Sequence, residues 1–219
     1  MIPAFNDGGP LVNVLAELQT LGYSVVVVDD GSTPLLSLPN RASGVCLVRH
    51  CLNLGQGAAI ETGVQFALQM GAQFLVTFDA DGQHSASEIE SLLLPLRLGR
   101  AEIALGSRFA EGGSALHISR SRLLALRVAT LVSRLTTGLR LTDTHNGFRA
   151  MTASAAQKIR ITQNRMAHAS QILEEIARLS VPYVEVPVTI TYTSYSVAKG
   201  QKLSNAFNIL WESITARLT

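Results

Sequence analysis

The chain has 219 residues, 47% of them apolar and 16% charged, with a formal net charge of +2. That length supports one or two domains with a well-filled core, and the near balance of charge excludes the strongly basic signature of nucleic-acid binding. Mean hydropathy is high at +0.25, yet no run of about 18 apolar residues occurs, so no spanning helix is expected.

The first residues lack the basic stretch and apolar run of a secretory leader. Cys46 and Cys51 are not spaced as Cys-x-x-Cys and read as reduced thiols of a cytoplasmic protein. The chain opens directly on a strand end over 1–4, which predicts that a few native residues precede Met1. A helix follows at 9–21, with Leu11, Leu15 and Leu18 on one face and Pro10 in its first turn. Residues 24–28 and 44–48 read as strands, the first apolar throughout after Ser24, as in a buried parallel strand. Next come a helix over 55–70, a strand over 74–78, a helix over 87–98 and a short strand over 103–106. This alternation predicts an α/β fold with a mostly parallel central sheet flanked by helices.

In the second half, 118–135 reads as an amphipathic helix carrying Arg120, Arg122, Arg127 and Arg134, and 142–149 as a polar loop. A helix is expected over 166–179, an alternating strand over 183–192, a basic loop over 196–202 and a final amphipathic helix over 206–218. No repeat or linker interrupts this order, so one domain over 1–219 is expected, its two halves meeting near residue 106.

Ligands of parallel sheets bind at the C-terminal strand ends. Three polar clusters fall there: Asn6-Asp7, Asp29-Asp30-Gly31-Ser32 and Asp79-Ala80-Asp81-Gly82-Gln83-His84. Asp79 and Asp81, one residue apart, suit a hard divalent cation such as Mg²⁺ or Mn²⁺ that bridges to substrate phosphates; a polar turn is the plain alternative. Asp29 and Asp30 either accept hydrogen bonds from a nucleotide or cap a strand-end turn. Asn53-x-Gly55-x-Gly57 opens a helix whose N-terminus suits a phosphate or base.

These clusters, with Pro3-Ala4, Gly106-Ser107-Arg108-Phe109, the stretch 143–151 and Glu185-Val186-Pro187-Val188, occur in an order that resembles the family 2 glycosyltransferases of the GT-A fold. Within that family the likeness is greatest to the polyprenyl-phosphate sugar synthases. The resemblance implies a nucleotide-diphosphate sugar donor, contacted by Pro3, Ala4, Asn6, Asp7, Asp29, Asp30, Gly31, Asn53, Gly57, Asp79 and Ala80. It implies a metal held by Asp79, Asp81 and Gln83, neutralising the departing diphosphate. His84 either orients a neighbour or is structural.

Inverting relatives that glycosylate a hydroxyl need a carboxylate base, and 163–171 offers none; an ionised phosphate acceptor needs only cations. Arg108, Arg120 and Arg122 are the candidates for it. The resemblance, with 143–149 matching the family's acceptor-side Asp-x-x-x-Gly-Phe-Arg motif, implies Asp81, Arg108, Asp143 and Arg149 as the catalytic set, Asp143 positioning the sugar or Arg149, or simply forming an Asp–Arg pair.

The expected activity is inverting transfer of a sugar to a polyprenyl phosphate at the inner membrane face, with a small membrane-protein partner and a possible homo-oligomer. Lys199 and Lys202 are candidates for headgroup or diphosphate contact. Two alternatives stand beside it: a saccharide-hydroxyl acceptor with His168 or Asp143 as base, and a nucleotide-sugar-binding subunit without turnover. No Gly-x-Gly-x-x-Gly follows a strand, which disfavours a dinucleotide-dependent dehydrogenase.

Overall fold

A computed structural model describes residues 1–38, 44–193 and 195. The expectations for 196–202, including Lys199 and Lys202, and for a helix over 206–218 lie outside the described residues. In chain order the elements are β1 (Ile2–Ala4), α1 (Gly8–Thr20), β2 (Val25–Asp29), β3 (Val45–Arg49), α2 (Gln56–Gln69), β4 (Phe74–Thr77), α3 (Ile89–Arg97) and β5 (Ile103–Ser107). They continue as β6 (Ser114–Leu116), α4 (Arg120–Thr137), β7 (Arg149–Thr152), α5 (Ala153–Lys158), α6 (His168–Arg178), β8 (Tyr183–Pro187) and β9 (Thr189–Thr191).

Strands β1, β2 and β3 form a parallel sheet in that order. Strands β4, β7, β5 and β8 form a second sheet. Backbone bonds join the two: the Met1 ammonium donates to the Val76 carbonyl at 2.7 Å, and Phe78 N–H donates to the Met1 carbonyl at 3.0 Å. That seam lays β1 beside β4 and brings the C-terminal ends of β1, β2 and β4 to one rim.

Cores lie on both faces. Strand alternation sorts β5 between them: Ala104 joins Leu11, Leu15, Leu92 and Phe148, whereas Ile103 and Leu105 join Ile60, Val64, Ile172 and Ile176. Helix α1 supplies its share through Leu11, Val14, Leu15 and Leu18, buried at helical spacing.

Three readings of the second half need correction. Residues 149–152 form β7, antiparallel to both β4 and β5, where the sequence suggested the end of a loop. Strand β6 and helix α5 were also missed, both being short. The expected strand over 183–192 is two strands. Val188 divides them, its N–H donating to Ser107 and its carbonyl accepting from Ser114, so the chain leaves β5 as partner and takes up β6.

Candidate active site

The rim begins at Asn6, which follows β1 in a left-handed conformation (φ 55°). Its N–H donates to Ser32 Oγ and its Oδ1 accepts from Thr33 N–H, both at 2.9 Å. These bonds stitch the loops after β1 and β2 together. Asp7 lies beside them, buried, and Tyr195 Oη donates to its Oδ1 at 2.7 Å. Burial, reinforced by the Asp7 hydrogen bond and charge, pushes the Tyr195 hydroxyl up to about 12.

Asp29 and Asp30 are both buried, and their carboxylates are taken up by the protein itself. Asp29 accepts from Ser32 N–H, Leu36 N–H and Arg49 Nε at 3.0–3.3 Å. Desolvation opposes its charge, yet those hydrogen bonds hold its pKa below the ordinary value. Asp30 accepts from Leu54 N–H at 2.9 Å, Gly55 N–H at 2.7 Å and Asn53 Nδ2 at 3.0 Å, and pairs with His50 Nδ1 at 2.7 Å. Gly31 has a clear reason to be glycine: φ is +75°, and a Cβ there would stand 2.6 Å from Asn53 N.

Here the structure departs from one expectation. The N-terminus of α2 was read as open to a phosphate, but residues 163–165 press against it. Ala58 N–H donates to the Asn164 carbonyl at 3.2 Å, and a Cβ at Gly57 would stand 2.0 Å from the Gln163 carbonyl. The two glycines of Asn53-x-Gly55-x-Gly57 admit this loop, since a Cβ at Gly55 would also stand 2.3 Å from the Asn164 carbonyl.

Asp79 and Asp81 follow β4 directly. The Asp79 side chain keeps 26% of its surface open, enough for a ligand to reach it. His84 Nε2 lies 3.1 Å from Asp79 Oδ2, Gln56 Nε2 donates to Oδ1 at 3.2 Å, and the His84 ring is packed by Phe78 and Phe148. Gly147 presses from the other side: a Cβ there would meet Asp79 Oδ2 at 2.6 Å. Burial acts against the Asp79 carboxylate, but the His84 hydrogen bond and surrounding positive charge hold its pKa low.

Asp81 behaves oppositely. Burial first, and the Asp79 charge second, push it up to about 6, although Gln83 N–H donates to its Oδ1 at 3.1 Å. Among the described residues no three His, Cys, Asp or Glu side chains converge on one point. Two carboxylates one residue apart, Asp79 part-open, nevertheless fit a hard cation that completes its shell with water and substrate oxygens, as Mg²⁺ does.

Arg149, at the start of β7, pairs with Thr77 across the sheet and is buried. Its Nε donates to the Asn146 carbonyl at 3.0 Å. Desolvation lowers its pKa to about 10, with Asp79 and Asp143 opposing that shift; the guanidinium stays charged at neutral pH.

Arg108 was expected at an acceptor phosphate, but its guanidinium is buried and turned inward. Nε donates to Asp143 Oδ2 at 2.6 Å, Nη2 to the His145 carbonyl at 2.7 Å, and Nη1 to the Tyr192 hydroxyl. The Asp–Arg pair foreseen for Asp143 therefore forms with Arg108. Glu185 fixes the same loop, accepting from Thr142 N–H at 2.7 Å and Asp143 N–H at 3.1 Å. Arg122 is half-buried and lies 5.0 Å over the Tyr192 ring, whereas Arg120 is exposed. His168 is buried, with Nδ1 2.7 Å from the Arg165 carbonyl, and desolvation lowers its pKa to about 4.

Sequence reasoning gave no role to Gln56, Tyr192 or Glu185. Glu185 carried a signal through its place in a family segment; Tyr192 showed only as the end of an alternating run.

A mostly parallel sheet, interrupted by antiparallel β7, with helices on both faces and paired carboxylates at a strand end describes a nucleotide-sugar transferase of the GT-A class. The solved structures agree on the fold: glucosyl-3-phosphoglycerate synthase of Mycobacterium tuberculosis, in complex with Mn²⁺ and UDP-glucose, superposes with a TM-score of 0.72. It shares 16% identity, covering 99% of this chain and 76% of that one.

The chain belongs to glycosyl transferase family 2, whose profile matches residues 1–160, and it is a glycosyltransferase. An uncharacterised protein of Methanocaldococcus jannaschii is 31% identical over 100% of this chain and 91% of its own length. The UDP-N-acetylglucosamine–dolichyl-phosphate N-acetylglucosaminyltransferase of Methanococcus voltae is 27% identical, covering 100% and 95%. The undecaprenyl-phosphate mannosyltransferase of Micrococcus luteus is 29% identical, covering 100% and 97%.

Proposed function

We propose that this glycosyltransferase moves a sugar from a nucleotide-diphosphate donor to a polyprenyl phosphate, with inversion, at the cytoplasmic membrane face. The observation that carries this reading is the open Asp79–Asp81 pair with the charged Arg149 beneath it, in a chain whose full-length relatives are named for lipid-phosphate acceptors.

An oxygen of the acceptor phosphate forms the new bond to sugar C1 as the C1–O bond to the donor diphosphate breaks. The nucleoside diphosphate leaves with the electron pair. Asp79 and Asp81, with the Gln83 amide, would hold Mg²⁺ or Mn²⁺, which when bound would supply positive charge to the leaving diphosphate. His84 keeps the Asp79 carboxylate aimed, and Arg149 adds a fixed cation at the point where negative charge develops. On the rim, Asn6, Asp7, Asp29, Asp30, Gly31 and Asn53 build the wall that receives the nucleotide. Arg122 meets the acceptor phosphate, with Arg108 behind it holding Tyr192 and the 143–145 loop in place.

The protonation states favour a phosphate over a hydroxyl acceptor. A hydroxyl needs a base; His168, down at about 4, is a poor one at neutral pH, and both oxygens of Asp143 are engaged by Arg108. An ionised phosphate needs none.

The test is incubation with Mn²⁺, a panel of radiolabelled nucleotide sugars and undecaprenyl phosphate. Label enters the lipid fraction, and Asp81→Ala abolishes that transfer. Label reaching only soluble saccharides refutes the acceptor assignment, and full activity of Asp81→Ala refutes the metal site.

A further inference from the structure

Asp79 differs from the other rim acids in how it is supported. Gln56 Nε2 donates to its Oδ1 at 3.2 Å, and His84 Nε2 lies 3.1 Å from its Oδ2. Among the described residues these are its two side-chain hydrogen bonds, one to each oxygen. A carboxylate oxygen carries two lone pairs, so each oxygen keeps one for a ligand. Asp30, by contrast, has four partners. Because a carboxylate only accepts, the Gln56 amide turns its NH₂ toward Asp79.

Gln56 is the first residue of α2, after Gly55 at φ +110°. The turn that carries it is seated from the second half of the chain. Ala58 N–H donates to the Asn164 carbonyl at 3.2 Å. At Gly57 a Cβ would stand 2.0 Å from the Gln163 carbonyl and 2.9 Å from the His168 Cβ. His168 in turn places Nδ1 2.7 Å from the Arg165 carbonyl. The 163–165 loop thus sits on the turn that aims the Gln56 amide.

We propose that Gln56 is a positioning residue for Asp79, and that the 163–165 loop, by seating the first turn of α2, sets where its amide falls. With His84 alone, Asp79 pivots on one oxygen; with Gln56 as well, both oxygens are fixed and their free lone pairs keep one direction. The residue type suits this task. Lysine or arginine at 56 would set a positive charge beside an incoming cation, and glutamate would set a like charge against Asp79. A neutral amide orients the carboxylate and does neither. The inference deepens the reading of a cation site at Asp79 and Asp81 and rests on it. It makes a loop of the acceptor half part of the support of a donor-side carboxylate.

The test is titration of the full chain with Mn²⁺, followed by the electron paramagnetic resonance signal of the free ion. Gln56→Met keeps the length of the side chain and removes the donor. Its Kd for Mn²⁺ rises about tenfold, the low end of the roughly 10- to 100-fold loss when an outer hydrogen-bond partner of a metal ligand is removed, because His84 remains. Gln65→Met is the matched control. Gln65 lies on the same helix, is half-buried like Gln56, and donates to the Glu61 carboxylate at 2.9 Å, away from the rim; its Kd for Mn²⁺ is unchanged. In turnover, the Mn²⁺ concentration giving half-maximal rate rises by the same factor in Gln56→Met, and kcat at saturating Mn²⁺ is retained. Urea unfolding of the metal-free chain checks that both variants keep the fold.

Undiminished Mn²⁺ affinity in Gln56→Met overturns the proposal. So does an equal loss in Gln65→Met, because the effect then belongs to the packing of α2 and not to the bond with Asp79. Asp81→Ala separates the two readings. If it loses the ion while Gln56→Met binds as the unmodified chain does, the cation site stands and the positioning role falls. No Mn²⁺ binding by the unmodified chain, or full binding by Asp81→Ala, refutes the cation site itself and the positioning role with it.

Discussion

Replacing Asp143 by Asn tests whether Arg108 is part of the framework or a substrate ligand. Their side chains are 1% and 5% exposed. Asp143 accepts from Arg108 N–H, Nε and Nη2 and from His145 N–H, at 2.6–3.3 Å. Asparagine offers one oxygen for four donors, turns an amide NH₂ toward them, and leaves a buried guanidinium without its counter-charge. Removing one partner of a buried ion pair costs about 3–5 kcal/mol. For a chain of this size that is a fall in Tm of roughly 6–20 °C, at about 2–4 °C per kcal/mol.

Thermal and urea unfolding followed by circular dichroism measures the loss, with the m-value checking that the unfolded state is unchanged. The double variant Arg108→Met/Asp143→Leu recovers most of the loss, because well-packed apolar residues replace a buried pair at little cost. A loss below about 1 kcal/mol in Asp143→Asn, together with Arg108 variants of unaltered stability and a raised KM for the lipid, refutes the reasoning and returns Arg108 to the acceptor phosphate.

Other outcomes follow from the same geometry. Arg122→Ala raises KM for the prenyl phosphate about 10- to 150-fold while KM for the nucleotide sugar stays constant, a charge-assisted hydrogen bond being worth about 1.5–3 kcal/mol; steady-state kinetics with each substrate varied in turn decides this. Gly57→Ala loses about 1–3 kcal/mol in urea titration through overpacking, because its Cβ meets the Gln163 carbonyl. His168 makes stability acid-sensitive. Its folded pKa of about 4 lies below the unfolded value near 6.5, so between them the unfolded chain binds more protons. Stability therefore falls as pH is lowered from about 6.5 to about 4, by about 3 kcal/mol in all. In His168→Gln that component of the acid dependence is missing from urea titrations across the same range.

The first half was legible because its signals are local. The all-valine stretch of β2, the leucine spacing of α1 and the acidic clusters each announce their element within a few residues, and parallel alternation then places the clusters on one rim. The second half depends on partners that a linear reading does not join. Strand β7 has four residues, begins with a buried arginine, and is a strand because β4 and β5 flank it. The break at Val188 follows from a change of partner, which alternation of apolar residues does not record. Arg108 and Asp143 are 35 residues apart; each motif showed a charge, and neither showed that the two charges meet. On α4 the periodicity gave an amphipathic helix correctly, but a leucine stripe looks the same whether it faces a core or solvent.

The acidic residues that looked equivalent along the rim thus separate by what satisfies them. Asp29, Asp30 and Asp143 each have both oxygens engaged by backbone N–H groups, an arginine or a histidine, which is what a residue needs in order to hold loops in register. Asp81, pushed up to about 6, and Arg149, lowered to about 10, sit where burial disfavours their charge, and among the described residues no ion pair within 4 Å relieves Arg149. Perturbed groups of opposite sign beside a part-open carboxylate mark a functional site more than a structural one. A framework made only for stability would have paired them, as it paired Arg108 with Asp143. The catalytic roles proposed above therefore fall on Asp79, Asp81 and Arg149 rather than on the other rim acids.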